Sequence, residues 1–142
     1  MNESATSRAP WHLWVVGIVT LLWNAIGITS YMITRLGKLE AAGMTPEQIA
    51  WFESFPAWAN GLWALGVWGV FFGSLLLLLR SRWAVTSIAT SIVGLIGTTI
   101  FERFMTDIPA ELDSPPLSAA IWIITLFMLW YALRMRKAGV LR

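Results

Sequence analysis

The 142-residue chain has no cysteine and a single histidine, His12. Without thiols there are no disulfides, thiolate nucleophiles, Cys-type zinc sites or iron–sulfur ligands. One histidine without a carboxylate cluster makes neither a metal site nor a bis-histidine haem site within one chain. Charge is the second scarcity. Asp, Glu, Lys and Arg make up 13% of the residues, against about 25% in soluble globular domains. None of these, nor the histidine, falls in the middle of a long apolar stretch. That speaks against an ion-coupled pump, because coupling through a titratable side chain needs one inside the membrane. There is no P-loop, no dinucleotide-binding glycine motif after a strand and no nucleophile-plus-base set. An enzyme is not expected, and the residues require no cofactor.

What is abundant is apolar: 57% hydrophobic residues and ten tryptophans. A membrane-spanning helix needs roughly 20 apolar residues at 1.5 Å each. Four segments qualify, at about 12–33, 56–79, 83–105 and 117–133, within a single membrane domain covering 1–142. The fourth is near the lower limit, and its basic end can snorkel to the interface. The first stretch is longer than the apolar core of a signal peptide and no small-residue cleavage site follows it, so it reads as retained. The expected fold is all-α: a polytopic membrane protein with four transmembrane helices in an antiparallel bundle. LWVVG (13–17) and LWALG (62–66) share an L-W-x-x-G pattern, too short to argue an inverted repeat.

Basic residues set the expected orientation. Seven lie at one end: Arg8, Arg80, Arg82, Arg134, Arg136, Lys137 and Arg142. Only Arg35, Lys38 and Arg103 lie at the other, which also carries Glu40, Glu47, Glu53, Glu102, Asp107, Glu111 and Asp113. Both termini are therefore expected in the cytoplasm, with loops 34–55 and 106–116 outside. In the first outer loop Thr45, Pro46 and Gln48 predict a short interfacial helix, opened by a T-x-x-Q capping box with proline at the first helical position. Glu47 suits its N-terminal dipole. Trp51, Phe52 and Phe55 are expected along the membrane surface. The basic tail RMRKAGVLR is expected to anchor against anionic lipid and is not a nucleic-acid site.

Small residues recur at helical spacing. Ala59, Gly66, Gly69 and Gly73 form a stripe on the second span, with Gly69 and Gly73 as a G-x-x-x-G pair. Ala84, Ser87, Ser91, Gly94 and Thr98 form one on the third, which stops at Phe101. Inside lipid, close packing of small residues holds helices together. A turn of about three residues joins the two spans, so the stripes are expected to face each other; the alternative is that one is a face between two copies. The first span carries Gly17, Thr20, Asn24, Gly27 and Tyr31. The fourth shows no such stripe and is expected to lie toward lipid or a partner.

Few side chains offer chemistry. Asn24, beside Trp23, has two readings: an interhelical hydrogen bond or a ligand contact. Trp63 and Trp68 also fall inside a span, and interior tryptophans either fill space opposite glycines or line a pocket for a flat, lipophilic ligand. Trp11, Trp14, Trp58, Trp83 and Trp130 suit an interfacial belt. Asn60 is placed to cap or bridge loops. Glu102 and Arg103 are expected to form a solvated ion pair.

The segments APWHLWVVGIVTLLWN, FPAWANGLWALGVWG, LLLLLRSRWAV and MRKAGVLR resemble a set of small four-span bacterial inner-membrane proteins, generally uncharacterised and sometimes labelled sugar transporters. The resemblance implies a multi-pass protein of the bacterial inner (plasma) membrane. It carries no catalytic motif, so no functional residue transfers from it. The function expected first is a noncatalytic accessory or oligomer-forming subunit, with the bilayer, a second copy or another membrane protein as partner. The alternative is a transporter or binder of a small or lipophilic molecule, acting as a dimer.

Overall fold

The computed structural model describes residues 8–142, and all regular structure among them is helical. Five helices follow in order: α1 Trp11–Arg35, α2 Pro46–Glu53, α3 Ala57–Leu78, α4 Trp83–Ile100 and α5 Pro115–Lys137. A π-helical turn, Phe101–Met105, prolongs α4. Four helices are long and apolar enough to cross a membrane: α1, α3, α4 with its π turn, and α5. With 22 to 25 residues each, at about 1.5 Å per residue they exceed the ~30 Å hydrocarbon core. Their outward faces are rows of exposed apolar side chains, such as Ile18, Leu22 and Ile26 on α1 and Ile123, Leu126 and Trp130 on α5. Such a surface belongs in lipid. The chain has the build of a multi-pass membrane protein.

The most extensive packing joins α3 to α4, and α1 packs next most closely on α3. Contacts between α3 and α4 run in opposite sequence order. Gly66 meets Gly94 and Leu95, Gly69 meets Ser87 and Ser91, and Gly73 meets Ile88. A methyl group on Gly94 would lie 2.5 Å from the Gly66 nitrogen and 2.5 Å from the Leu62 carbonyl oxygen. Only glycine permits that approach. Ser87 Oγ donates to the Gly69 carbonyl at 2.6 Å, adding a polar tie to the same contact. On α1, the row Gly17, Thr20, Asn24, Gly27 and Tyr31 turns toward α3: Gly27 faces Val67, and the Tyr31 ring sits edge-on to Trp63 at 5.0 Å.

The last helix differs from its sequence reading in length and in role. Proline at its start and Ser114 as cap, accepting from the Leu117 N–H, extend it to 23 residues, so it is not a marginal span. It also has a packing face. Thr125, Met128, Tyr131 and Ala132 recur at spacings of three and four and are buried. Met128 and Tyr131 are large, so a search for small residues passes over this face. Met128, Tyr131 and Ala132 join Leu13 of α1, Leu77 of α3 and Ile88 of α4 in an apolar cluster at the basic end of the molecule.

The tail beyond α5 belongs to that cluster too. Val140 and Leu141 are buried. The Arg142 N–H donates to the Arg80 carbonyl at 2.9 Å, and the Arg82 N–H donates to the Arg142 carbonyl at 3.1 Å. The tail therefore docks on the α3–α4 turn, where Arg80 takes the left-handed conformation (φ 55°). Its apolar residues fill space that the charges of RMRKAGVLR did not suggest.

At the opposite end α2 opens with a complete capping box. The Gln48 N–H donates to Thr45 Oγ1 at 3.2 Å, and the Thr45 N–H donates to Gln48 Oε1 at 3.0 Å. Its aromatic side chains turn inward instead of lying along a surface. Trp51 and Phe55 are buried with Ala59 and Phe101, and Phe52 and Trp63 pack on them. Trp51 Nε1 donates to Thr106 Oγ1 at 3.2 Å, tying α2 to the end of the π turn. Packing five rings against one another removes more apolar area from water than resting them on an interface.

Candidate functional site

Between these two clusters α1, α3, α4 and α5 enclose a cavity of about 410 Å³. Trp23, Asn24 and Gly27 of α1 form one wall, and Trp63, Val67 and Val70 of α3 form the next. Ser91, Leu95 and Thr98 come from α4, followed by Glu102 in the π turn. Leu117, Ile121 and Thr125 of α5 close the far side, and Phe52 and Phe55 cover the end nearest α2. Ile26 and Leu117 line the cavity yet are 67% and 51% exposed, which places its mouth between α1 and α5. Those two helices are linked toward the basic end, by a hydrogen bond between His12 Nδ1 and the Tyr131 hydroxyl and by Asn24 against Met128.

Asn24 is 5% exposed and sits where α1, α3 and α5 converge. Its Nδ2 donates to Ser74 Oγ at 2.7 Å and to the Val70 carbonyl at 3.2 Å, with Met128 Sδ at 3.7 Å. The carbonyl can only accept, so it fixes which way the amide faces. Ser74 Oγ passes the chain on to Thr20 Oγ1 at 3.1 Å, and Thr20 ends it on the Val16 carbonyl at 2.6 Å. Every proton in this series is used by protein. Asn24 Oδ1 accepts nothing from the described residues, and among these no fully buried polar side-chain atom is left unpaired, so the oxygen keeps some exposure at a residue that lines the cavity. The interhelical reading of this residue holds, its nitrogen joining α1 to α3, and the residue also lines the space between the helices.

Three of the four lining hydroxyls are committed in the same way, the exposed Ser30 being the exception. Ser91 donates to the Ile88 carbonyl at 2.7 Å, Thr98 to Gly94 at 2.8 Å and Thr125 to Ile121 at 2.7 Å. Each keeps lone pairs and no proton to offer. Glu102 is the one charged residue of the lining. It makes no direct ion pair with Arg103, although that guanidinium is near enough for its charge to act on the carboxyl group. Arg103 Nη1 instead bonds Asp113 at 2.8 Å, and its Nη2 donates to Ser118 at 3.4 Å. Neighbouring positions on a helix point in different directions, so Arg103 reaches out to the following loop while Glu102 turns in.

Of the residues singled out from the sequence, Trp23, Asn24 and Trp63 meet at the cavity. Trp68 does not: it stacks on Phe72 at 5.7 Å, with Phe71 edge-on at 6.2 Å, and is absent from the lining. Gly66 and Ser91 serve both the helix contact and the cavity wall, Thr98 stands in the wall, and Gly69, Gly73, Ser87 and Gly94 lie along the helix contact alone. Asn60 Nδ2 bonds the Phe55 carbonyl at 3.4 Å, linking α3 to the segment before it. Phe52, Phe55, Thr125 and Glu102 are the functional candidates that sequence reasoning missed. For Glu102 a signal existed. It follows Thr98 by four residues, as Thr98 follows Gly94, so the small-residue stripe of α4 points to it directly.

Among the described residues no cluster of histidine and carboxylate side chains could hold a metal ion. No family model, curated protein or solved structure matches the chain.

Proposed function

We propose that the chain is a noncatalytic, multi-pass protein of the bacterial inner membrane that binds a small, largely apolar molecule in the cavity between α1, α3, α4 and α5. The carrying observation is the cavity itself. Its volume falls in the range of about 300–1,000 Å³ typical of small-molecule sites, and it has the usual make-up of aromatic and aliphatic walls with a few convergent polar groups. An accessory subunit has no need of such a space, so the geometry favours the binder or transporter over the accessory role. The mouth between α1 and α5 would admit a ligand from the lipid, which suits a lipophilic molecule better than a sugar.

In this reading the four spans form an antiparallel bundle with both termini in the cytoplasm. The concentration of Lys and Arg at the end holding the termini supports that orientation. The small α2 then lies at the outer interface and covers the cavity. The α3–α4 glycine contact serves packing within one chain, which leaves the exposed faces of α1 and α5 for lipid or for a second copy.

Native mass spectrometry of protein extracted in mild detergent tests this reading. The expected result is a bound molecule of small mass, lost from an Ile121→Trp variant in which a larger side chain from α5 fills the space. Spectra showing bilayer lipid alone, unchanged by that substitution, would overturn it. The same spectra report whether the chain is a monomer, a homo-oligomer or part of a complex.

A further inference from the structure

The lining is unbalanced in charge and in hydrogen bonding. Glu102 brings a carboxyl group to a largely apolar space, and no cationic side chain shares that space. The nearest cation by sequence, Arg103, is held by Asp113. Asn24 adds an oxygen without a donor, and Ser91, Thr98 and Thr125 add lone pairs whose protons are already given to backbone carbonyls. The unused donors of the lining are the indole N–H groups of Trp23 and Trp63 and the hydroxyl of the exposed Ser30, and none of them is charged. A carboxylate facing low-dielectric surroundings without a direct ion pair is costly. A ligand that supplies the missing positive charge and N–H groups removes that cost.

The aromatic walls point the same way. Phe52 and Trp63 stack at 5.9 Å, Phe55 tilts against Trp63 at 6.0 Å, and all three line the cavity near α2. Ring faces attract a cation, Trp most strongly. From these placements we infer that the cavity selects a lipophilic ammonium ion: an apolar body with a protonated amine whose charge rests on Glu102 among the rings, and whose N–H groups reach wall oxygens. The inference rests on the ligand-binding reading above and names the class of ligand. Two sources share this chemistry, a free amphipathic amine and the headgroup of an ethanolamine lipid entering through the α1–α5 mouth.

The test uses the full chain in phosphatidylcholine nanodiscs, with protein-free discs as the blank. Quenching of tryptophan fluorescence is titrated with the amino, hydroxy and oxo forms of one piperidine nitroxide. These carry the same quencher and differ in being a charged donor, a neutral donor and an acceptor only. The expected order of affinity is amino, then hydroxy, then oxo, with amino ahead of hydroxy by about tenfold, the worth of one charge-assisted hydrogen bond. Glu102→Gln, which keeps shape and touches no structural bond, should erase that tenfold gap. Saturable binding with equal affinity for all three forms would overturn the ammonium inference and leave ligand binding standing. So would an amino preference that survives Glu102→Gln. No saturable quenching by any form would overturn both. Adding phosphatidylethanolamine to the discs assigns the source: competition with the amino form identifies the lipid headgroup, and its absence identifies a free amine.

Discussion

Asn24 on α1 donates its side-chain N–H to Ser74 Oγ on α3 at 2.7 Å, and from there a series of hydroxyls leads to the backbone of α1. The bond fixes the depth of α1 against α3 and, with it, the floor of the cavity. Membrane hydrogen bonds of this type average about 0.6 kcal/mol and reach about 1.7. In a double-mutant cycle of Asn24→Leu and Ser74→Ala, the coupling energy is expected near the upper figure, because both groups are buried. Denaturation in mixed micelles measures it, and additive single effects would contradict the bond.

The glycines of the α3–α4 contact are not equivalent to other glycines in these helices. At Gly94 a methyl group meets backbone atoms of α3 that cannot move aside. Gly94→Ala should force the helices apart and cost about 1–3 kcal/mol or more. Gly61, by contrast, has nothing within 4 Å of its would-be methyl group. Gly61→Ala should be neutral or stabilising by up to about 1 kcal/mol through the lost freedom of the unfolded chain. Thermal unfolding in detergent separates the two; equal effects would mean the close approach is not what sets stability. Gly69→Leu should behave like Gly94→Ala, since even its first carbon would fall 2.8 Å from Ser91 Cβ.

The capping box holds the cover of the cavity. Thr45→Ala removes the acceptor for the Gln48 N–H and should cost α2 about 1 kcal/mol. The four spanning helices should keep their global stability. The readout is local: faster amide exchange across 46–53 and a red shift of tryptophan emission as Trp51 leaves its ring cluster. Unchanged exchange there would show that aromatic packing alone secures the helix.

Orientation is accessible because the chain is free of cysteine, so single introduced thiols report without background. Glu47→Cys, on the exposed side of α2, should react in intact cells with a reagent that does not cross membranes. Ala138→Cys, beyond α5, should react only after permeabilisation. The reverse pattern would invert the proposed topology.

How much of this was legible in the sequence depends on the kind of signal each residue leaves. The capping box of α2 is local, written in three neighbouring side chains and their own backbone, and could be read directly. The stripes of α3 and α4 are nearly as local: spacings of three and four mark one face of a helix, and the short turn leaves few ways to combine two such faces. The face of α5 was missed because Met128 and Tyr131 at its centre are large; depth of burial depends on what lies opposite, not on side-chain size. The tail was missed because its charges are conspicuous, whereas Val140 and Leu141 find their place only on a turn sixty residues earlier in the chain. The neighbours Glu102 and Arg103 read as a pair because sequence shows adjacency and hides direction.

The sequence by itself determined that the chain lives in a membrane, where its helices lie, which end is basic and that two of its helices approach closely. These follow from composition and period, because lipid solvates apolar faces and each helix satisfies its own backbone. Only the tertiary structure decided that the helices do not close completely, that aromatic rings from α2 cover the gap, and that Asn24 and Glu102 face it from separate helices. A cavity is what packing leaves unfilled between elements far apart in the chain, and no run of residues records it.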